Sequence, residues 1–193
     1  MCDAGVCLCG RKVAVLVADL YQEVEVWYPY YRLREAGAAV ELVGPEAKKE
    51  YRSKYGYPAV SDRAAAPALA ARYDAVIIPG GFAPDVLRRY PAVNGFVQAM
   101  GDRGKVVAAI CHGGWVLCST KLLRGRRATS FSAIKDDMTN AGAAWRDAEV
   151  VIDGNLITSR TPDDLPAFMR AVLAAVAARG AGKRSRQAEQ RKG

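Results

Sequence analysis

Val106 to Gly114 reads Val-Val-Ala-Ala-Ile-Cys-His-Gly-Gly, and this stretch decides the fold. Five small or β-branched apolar residues in a row, with no polar alternation, are the pattern of a parallel strand buried on both faces. The strand runs directly into Cys111, and two glycines follow before a helical pattern begins, expected over Gly113 to Leu123. Strand, nucleophile and glycine-relieved turn into a helix make up a nucleophile elbow, whose tip carries the reactive side chain. Unpaired N–H groups and the positive dipole end of the following helix favour thiolate over thiol, so Cys111 is expected to be the most acidic thiol of the chain. His112 is the only histidine. Any chemistry that needs an imidazole must therefore use it, and HExxH metal sites are excluded.

On both sides of the elbow, strand and helix patterns alternate. Lys12 to Ala18 is another continuous apolar run, followed by a helix from about Val24 to Ala36 that ends at Gly37, and by a strand over Ala39 to Val43. Lys48 to Arg63 is rich in tyrosine, turns at Gly56-Tyr57-Pro58, and is expected to be a short hairpin excursion, with a short helix over Ala64 to Ala71. Ala75 to Ile78 is a strand running into Pro79-Gly80-Gly81, with helices expected from Pro84 to Tyr90 and from Ala92 to Arg103. Beyond the elbow come a strand over Ala128 to Phe131, a helix over Ile134 to Ala141, two strands flanking the Asp153-Gly154-Asn155 turn, and a final helix from Asp163 to Arg179. The expected architecture is an α/β layered domain with a mainly parallel sheet, and in that class sites lie at the carboxyl ends of the strands.

The chain has 193 residues, 51% hydrophobic and 25% charged, which fits one folded domain and excludes wholesale disorder. The expected division is an N-terminal extension over residues 1–11, the domain over 12–179, and a basic tail over 180–193. That tail carries five basic residues against one acidic, half of the net charge of +8, and no large apolar side chain, so it is expected to be disordered. A solvated tail explains such a charge run, and nucleic acid is not the expected partner. No apolar run approaches the roughly 20 residues of a membrane span, and no secretory signal is evident, so a cytoplasmic protein is expected. Cys2, Cys7 and Cys9 crowd the N-terminus in an odd total of five cysteines, which is not a secreted disulfide framework. A frayed end, a disulfide or, less readily, a metal site remains open there.

Three further groups converge on the elbow. The amides of Gly80 and Gly81, with those of His112 and Gly113, are candidate donors to an oxyanion. Asp85 follows the glycine pair and is a candidate for orienting His112, while Glu25 lies just past the first strand, at the same sheet edge. Cys118 and Arg124 match a phosphatase spacing, but no glycine lies between them to let amides wrap a phosphate, so Cys118 is expected to pack in the core.

At these residues the chain resembles the ThiJ/PfpI (DJ-one) superfamily, particularly its intracellular-protease branch, over roughly Lys12 to Ala178. The resemblance rests on Glu23-Val-Glu-Val-Trp-Tyr-Pro-Tyr, Pro79-Gly-Gly-Phe-Ala-Pro-Asp, Ala109-Ile-Cys-His-Gly, Ile134-Lys-Asp-Asp-Met and Ser159-Arg-Thr-Pro-Asp-Asp-Leu, in that order. It implies a flavodoxin-like α/β/α sandwich of the class I glutamine amidotransferase type, with Cys111 as nucleophile, His112 as its partner, and Glu25 hydrogen-bonded to the sulfur. It also implies a homo-oligomer, dimer or hexamer, in which Asp85 reaches the histidine of a neighbouring subunit. The chain departs from the branch in carrying Asp85 for glutamate, Gln22 for a pocket glutamate, and Phe131 for tyrosine.

A thiol, an imidazole and an oxyanion hole attack electrophilic carbonyls. The activity this implies is that of a cysteine hydrolase of the intracellular-protease type linked to stress response, or of a glutathione-independent glyoxalase or deglycase acting on methylglyoxal and its adducts. Neither a cofactor nor a metal is called for, and the expected partners are a small carbonyl or peptide substrate and further copies of the chain. A glutamine amidotransferase triad is excluded, because its histidine lies far downstream of the cysteine. A chaperone or redox sensor without catalysis is the rival class, since an exposed acidic cysteine is also what peroxide oxidises.

Overall fold

The computed structural model describes residues 6–190, the side chains of 180–190 excepted; Cys2 and residues 191–193 of the basic tail lie outside it. In chain order the elements are β1 (Lys12–Leu16), α1 (Glu23–Glu35), β2 (Ala39–Gly44), β3 (Glu50–Arg52), β4 (Pro58–Val60), β5 (Arg63–Ala64), β6 (Ala75–Ile78), α2 (Ala83–Leu87) and α3 (Pro91–Asp102). Then follow β7 (Val106–Ile110), α4 (Gly114–Cys118), β8 (Arg127–Ala128), α5 (Lys135–Asn140), β9 (Ala144–Trp145), β10 (Val150–Asp153), β11 (Leu156–Ser159) and α6 (Leu165–Gln190).

Seven strands form the central sheet in the order β10-β11-β7-β6-β1-β2-β5, every pair parallel except β10 with β11. The apolar runs behave as a two-sided sheet requires: β6, β7 and β11 are buried along their whole length. Helices α1 and α6 pack on each other and on the sheet, while α3 packs on β6 and β7 with a 3-10 turn at Pro67–Ala71, which completes an α/β/α sandwich of the flavodoxin-like type. Helix α1 has Glu23 and Glu25 in its first turn and Arg32 and Arg34 in its last, as its dipole favours. It ends where Gly37 takes a φ of 91°, with the Ala38 N–H bonded to the Leu33 carbonyl and the Gly37 N–H to that of Arg34.

Because β6 lies on the opposite side of β1 from β2, the chains leaving β1 and β6 diverge and open a crevice at their carboxyl ends. An isolated bridge between Tyr21 and Gly81 ties the two departing segments together, and another between Tyr21 and Ser53 brings the β3–β4 hairpin over the same edge.

Several expected elements differ. The elbow helix is shorter: it stops at Cys118, because the Thr120 hydroxyl donates to the Leu117 carbonyl and accepts from the Leu122 N–H, an alternative to the next helical turn. The strand expected over Ala128 to Phe131 is only β8, which pairs with β9 outside the main sheet. In place of a helix over Ala64 to Ala71, β5 adds a short edge strand and the 3-10 turn follows. The last helix continues past Arg179 to Gln190, through a stretch expected to lack order whose alanine, lysine, arginine and glutamine all favour helix. The N-terminal extension is anchored as well. Leu8 is fully buried, and its N–H bonds the Ala36 carbonyl at 2.7 Å, which leaves Cys7 and Cys9 exposed on either side, their sulfurs 3.0 Å apart.

Gly113 sits where a Cβ would lie 2.3 Å from the Ile78 carbonyl oxygen, a backbone atom at the end of β6. Gly113→Ala must push the elbow off the neighbouring strand, and is expected to lower unfolding free energy by about 2 kcal/mol in a denaturant titration.

Candidate active site

β7 delivers Cys111 to the crevice. Ile110 is still extended, with φ of −127° and ψ of 147°, and Cys111 then swings to a φ of 60°, a left-handed conformation that costs a residue with a Cβ roughly 1–2 kcal/mol. This is the elbow expected from the sequence. Close packing maintains it: the Phe131 N–H donates to the Cys111 carbonyl at 3.3 Å, and a Cβ on Gly80 would fall within 2.9 Å of the Glu25 carboxylate, the Cys111 Cβ and the His112 nitrogen together. Only glycine fits there.

Glu25 is fully buried, and its Oε2 accepts the Gly80 N–H at 2.6 Å. One of the amides expected to serve an oxyanion is therefore committed to Glu25. The backbone N–H groups of His112 and Gly81 are directed at the Cys111 sulfur instead. The other carboxyl oxygen of Glu25 has no N–H or O–H partner, and the group interacts with the Cys111 thiol.

The electrostatics of this pair depart from the simple expectation of an acidic thiol. Burial pushes the Glu25 carboxyl up to about 7, with the Gly80 N–H opposing. Burial also pushes the Cys111 thiol up to about 12, an ionised Glu25 adds repulsion, and the two amides pull the other way. The two groups titrate as a unit: the first proton leaves near neutrality, the second only in strong alkali. In the singly protonated pair, the thiolate exists where Glu25 holds the proton and donates it to sulfur.

His112 places Nδ1 3.3 Å from the Cys111 sulfur. Its ring stacks on Phe131 at 4.8 Å between centroids and meets the edge of Trp115 at 5.0 Å. Trp115 is in turn held by its indole N–H on Asp137 at 2.8 Å. Burial pushes the imidazole below its usual value, and the charge of Lys54 pushes it further the same way, so it is neutral at pH 7.

A cavity of about 300 Å³ opens at these groups, lined by Cys111, His112, Gly81, the rings of Phe82 and Phe131, Pro162, and the polar side chains of Gln22 and Lys54. Larger hollows, of about 420 and 530 Å³, lie along α1 and beside Tyr55 to Pro58, and neither touches Cys111 or His112. Of the site residues expected from sequence, Cys111, His112, Glu25, Gly80, Gly81, Gly113, Gln22 and Phe131 come together. Asp85 does not join them. It lies half-buried on α2 and ion-pairs with Arg89 one turn later, and within one chain it makes no bond to His112. Cys118 packs its sulfur on Met138 at 3.7 Å, as expected.

Sequence reasoning missed Lys54 and Trp115. Trp115 sits three residues after His112, where any helix would bring the two together, so that signal was present. Lys54 belongs to the hairpin, and nothing local places it at the crevice. Among the described residues, no group of three histidine, cysteine or carboxylate side chains is arranged to hold a metal ion, and no helix is long and apolar enough to cross a membrane.

A parallel α/β/α sandwich with a left-handed cysteine at the strand-to-helix turn, its carboxyl partner buried beside it, defines a class of elbow proteins built around one thiol. The chain belongs to the DJ-1/PfpI family, whose profile it matches over residues 11–175. It is 44% identical over 164 residues to the putative cysteine protease YraA of Bacillus subtilis, covering 85% of this chain and 97% of that one. It is 45% identical over 159 residues to a deglycase of Pyrococcus abyssi, covering 82% and 95%. Among solved structures, a two-domain protein of Anabaena variabilis with DJ-1/ThiJ/PfpI-like and ferritin-like domains superposes with a TM-score of 0.83 at 45% identity, over 85% of this chain; the chain spans about half, 47%, of that protein's length.

Protonation of Glu25 has a stability signature. Its native value of about 7 lies above the usual 4.5, so the folded state holds a proton that the unfolded state releases between those limits. The resulting stabilisation is complete below pH 4.5 and lost as pH rises through 7, about 3 kcal/mol in all. Urea titrations from pH 4.5 to 7.5 are expected to show wild type losing this amount relative to Glu25→Gln. Parallel curves would remove Glu25 from the titrating pair.

Proposed function

We propose that the protein is a cysteine-nucleophile enzyme acting on carbonyl groups, and that reactive small carbonyls and their adducts, the substrates of a glyoxalase or deglycase, suit its site better than intact peptide bonds. The observation that carries the proposal is Cys111 held at φ 60° with His112 Nδ1 3.3 Å from its sulfur and two backbone N–H groups aimed at the same point. The relatives named a cysteine protease and a deglycase require the same first step.

In that step the sulfur forms a bond to the carbonyl carbon as the C=O π bond breaks. Electrons collect on oxygen, the Gly81 and His112 amides stabilise them, and the proton that the thiol gave up returns to that oxygen. The product is a thiohemiacetal, and no oxidant is consumed. Neutral His112 is fit to carry the proton, because its imidazole accepts on one nitrogen and donates from the other. Amide hydrolysis would also need a protonated leaving nitrogen and room for chain on both sides of the bond. A cavity of about 300 Å³ supports the smaller substrate.

Purified protein offered methylglyoxal, glycated peptide and unmodified peptide in parallel is expected to show turnover of the first two, with a covalent mass gain on Cys111, and far slower cleavage of the third. Cys111→Ser should lower turnover by at least about a thousandfold, by analogy with nucleophile removal elsewhere. Retention of protective activity by Cys111→Ser, with no turnover in wild type, would favour the chaperone reading.

We further infer that Asp85 acts only across an interface between copies of the chain, since within one chain its carboxylate is held by Arg89. Mixing inactive Cys111→Ala and Asp85→Ala proteins, with subunit exchange verified by mass spectrometry, is expected to restore part of the activity. If mixed oligomers stay inactive, Asp85 is only the partner of Arg89.

A further inference from the structure

We propose that Lys54 makes the Cys111 cavity selective for carbonyl compounds that carry an anionic group, a carboxylate or a phosphate, on the same small molecule. The inference rests on the proposed carbonyl chemistry and names its substrate class.

Among the side chains lining the cavity, Lys54 is the one cation at neutral pH, since His112 is neutral; Cys111 lies in the lining with the fully buried Glu25 beneath it. Among the described residues its ammonium has no carboxylate partner; it rests over the Tyr55 ring, 4.8 Å from the centroid. A cation that no carboxylate pairs, at the mouth of a largely apolar cleft, draws anions to that cleft.

The position of the lysine is built. Its N–H donates to the Tyr21 carbonyl at 3.1 Å, and the next N–H, that of Tyr55, donates to the Glu23 carboxylate at 3.1 Å. The Glu23 carboxylate also takes the Ser53 hydroxyl, so the residues on either side of Lys54 are both tied to the start of α1. Both bonds fall on Glu23 Oε1, and Oε2 is buried without a hydrogen-bond partner, so the carboxylate holds the hairpin and forms no ion pair with Lys54 among the described residues. The charge of Lys54 reaches the chemistry too, lowering the proton affinity of both Glu25 and His112. An anion seated on Lys54 would cancel part of that field as the carbonyl arrives at the sulfur.

The test measures protection of Cys111 from iodoacetamide, an uncharged reagent, at low salt, the label being located by peptide mass mapping because Cys7 and Cys9 are exposed as well. Two charged carbonyls, glyoxylate and glycolaldehyde phosphate, are set against uncharged counterparts, methylglyoxal and glycolaldehyde. The charged compounds are expected to protect at about fivefold lower concentration, the gain of one exposed ion pair, and the advantage should shrink in 0.5 M salt. Lys54→Ala should abolish the advantage and Lys54→Arg should restore it, whereas Lys121→Ala, which removes the same net charge elsewhere, should preserve it. Glyoxylate and glycolaldehyde phosphate identify which anion is preferred. Equal protection by charged and uncharged compounds, or an advantage that survives Lys54→Ala, overturns the inference and leaves the carbonyl chemistry standing. Protection by none of the four overturns both.

Discussion

A single hydrogen bond, from the Gly80 N–H to the buried Glu25 carboxyl, organises the molecule's working end. It joins the first turn of α1 to the loop after β6, and it does so against the Cβ of the cysteine that ends β7. Three segments far apart in sequence thus meet at one carboxyl group. A buried carboxylate is costly, and the Gly80 amide, the nearby thiol and, at longer range, the charge of Lys54 offset part of that cost. Protonation state, backbone position and thiol reactivity are consequently one property of the site.

The same constraint explains why the glycines are where they are. Gly80 admits the three neighbours, Gly81 takes a φ of 75° opposite Tyr21 in a bridge whose bonds run from the Gln22 N–H to the Gly80 carbonyl and from the Phe82 N–H to the Leu20 carbonyl, and Gly113 lets the elbow lie on the end of β6. A side chain at any of them would separate the strands at the point where the sheet has its topological switch. The strained cysteine persists because its surroundings leave it no other place.

Most of this was legible in the sequence. Buried parallel strands announce themselves as unbroken apolar runs, and the elbow as a nucleophile between such a run and two glycines, so Cys111, His112 and the glycine loops could be placed before any coordinates. Glu25 could be placed at the sheet edge from its position after the first strand, but its bond to the sulfur came only from the ordered resemblance to a family, because one glutamate at a helix start looks like any other. Short-range competition was harder to see: Thr120 ends α4 with its own hydroxyl, and Phe131, expected in a strand, turns to stack on His112. Electrostatics was the least visible layer. An amide-rich turn suggests an acidic thiol, but burial and a neighbouring carboxyl act on the same sulfur with the opposite sign, and their weight depends on tertiary packing.

The β3–β4 hairpin forms its own two-stranded sheet outside the main one, yet it supplies Lys54 to the cavity wall. Reactivity and selectivity therefore reside in parts of the chain with different tolerance for change. The sheet edge is crowded with backbone contacts and admits few alternatives, while the hairpin's exposed tip can exchange side chains without moving a strand. A lineage can keep one covalent chemistry and redirect it to new molecules by rewriting the few exposed residues of this hairpin, and a laboratory can do the same with a library confined to them.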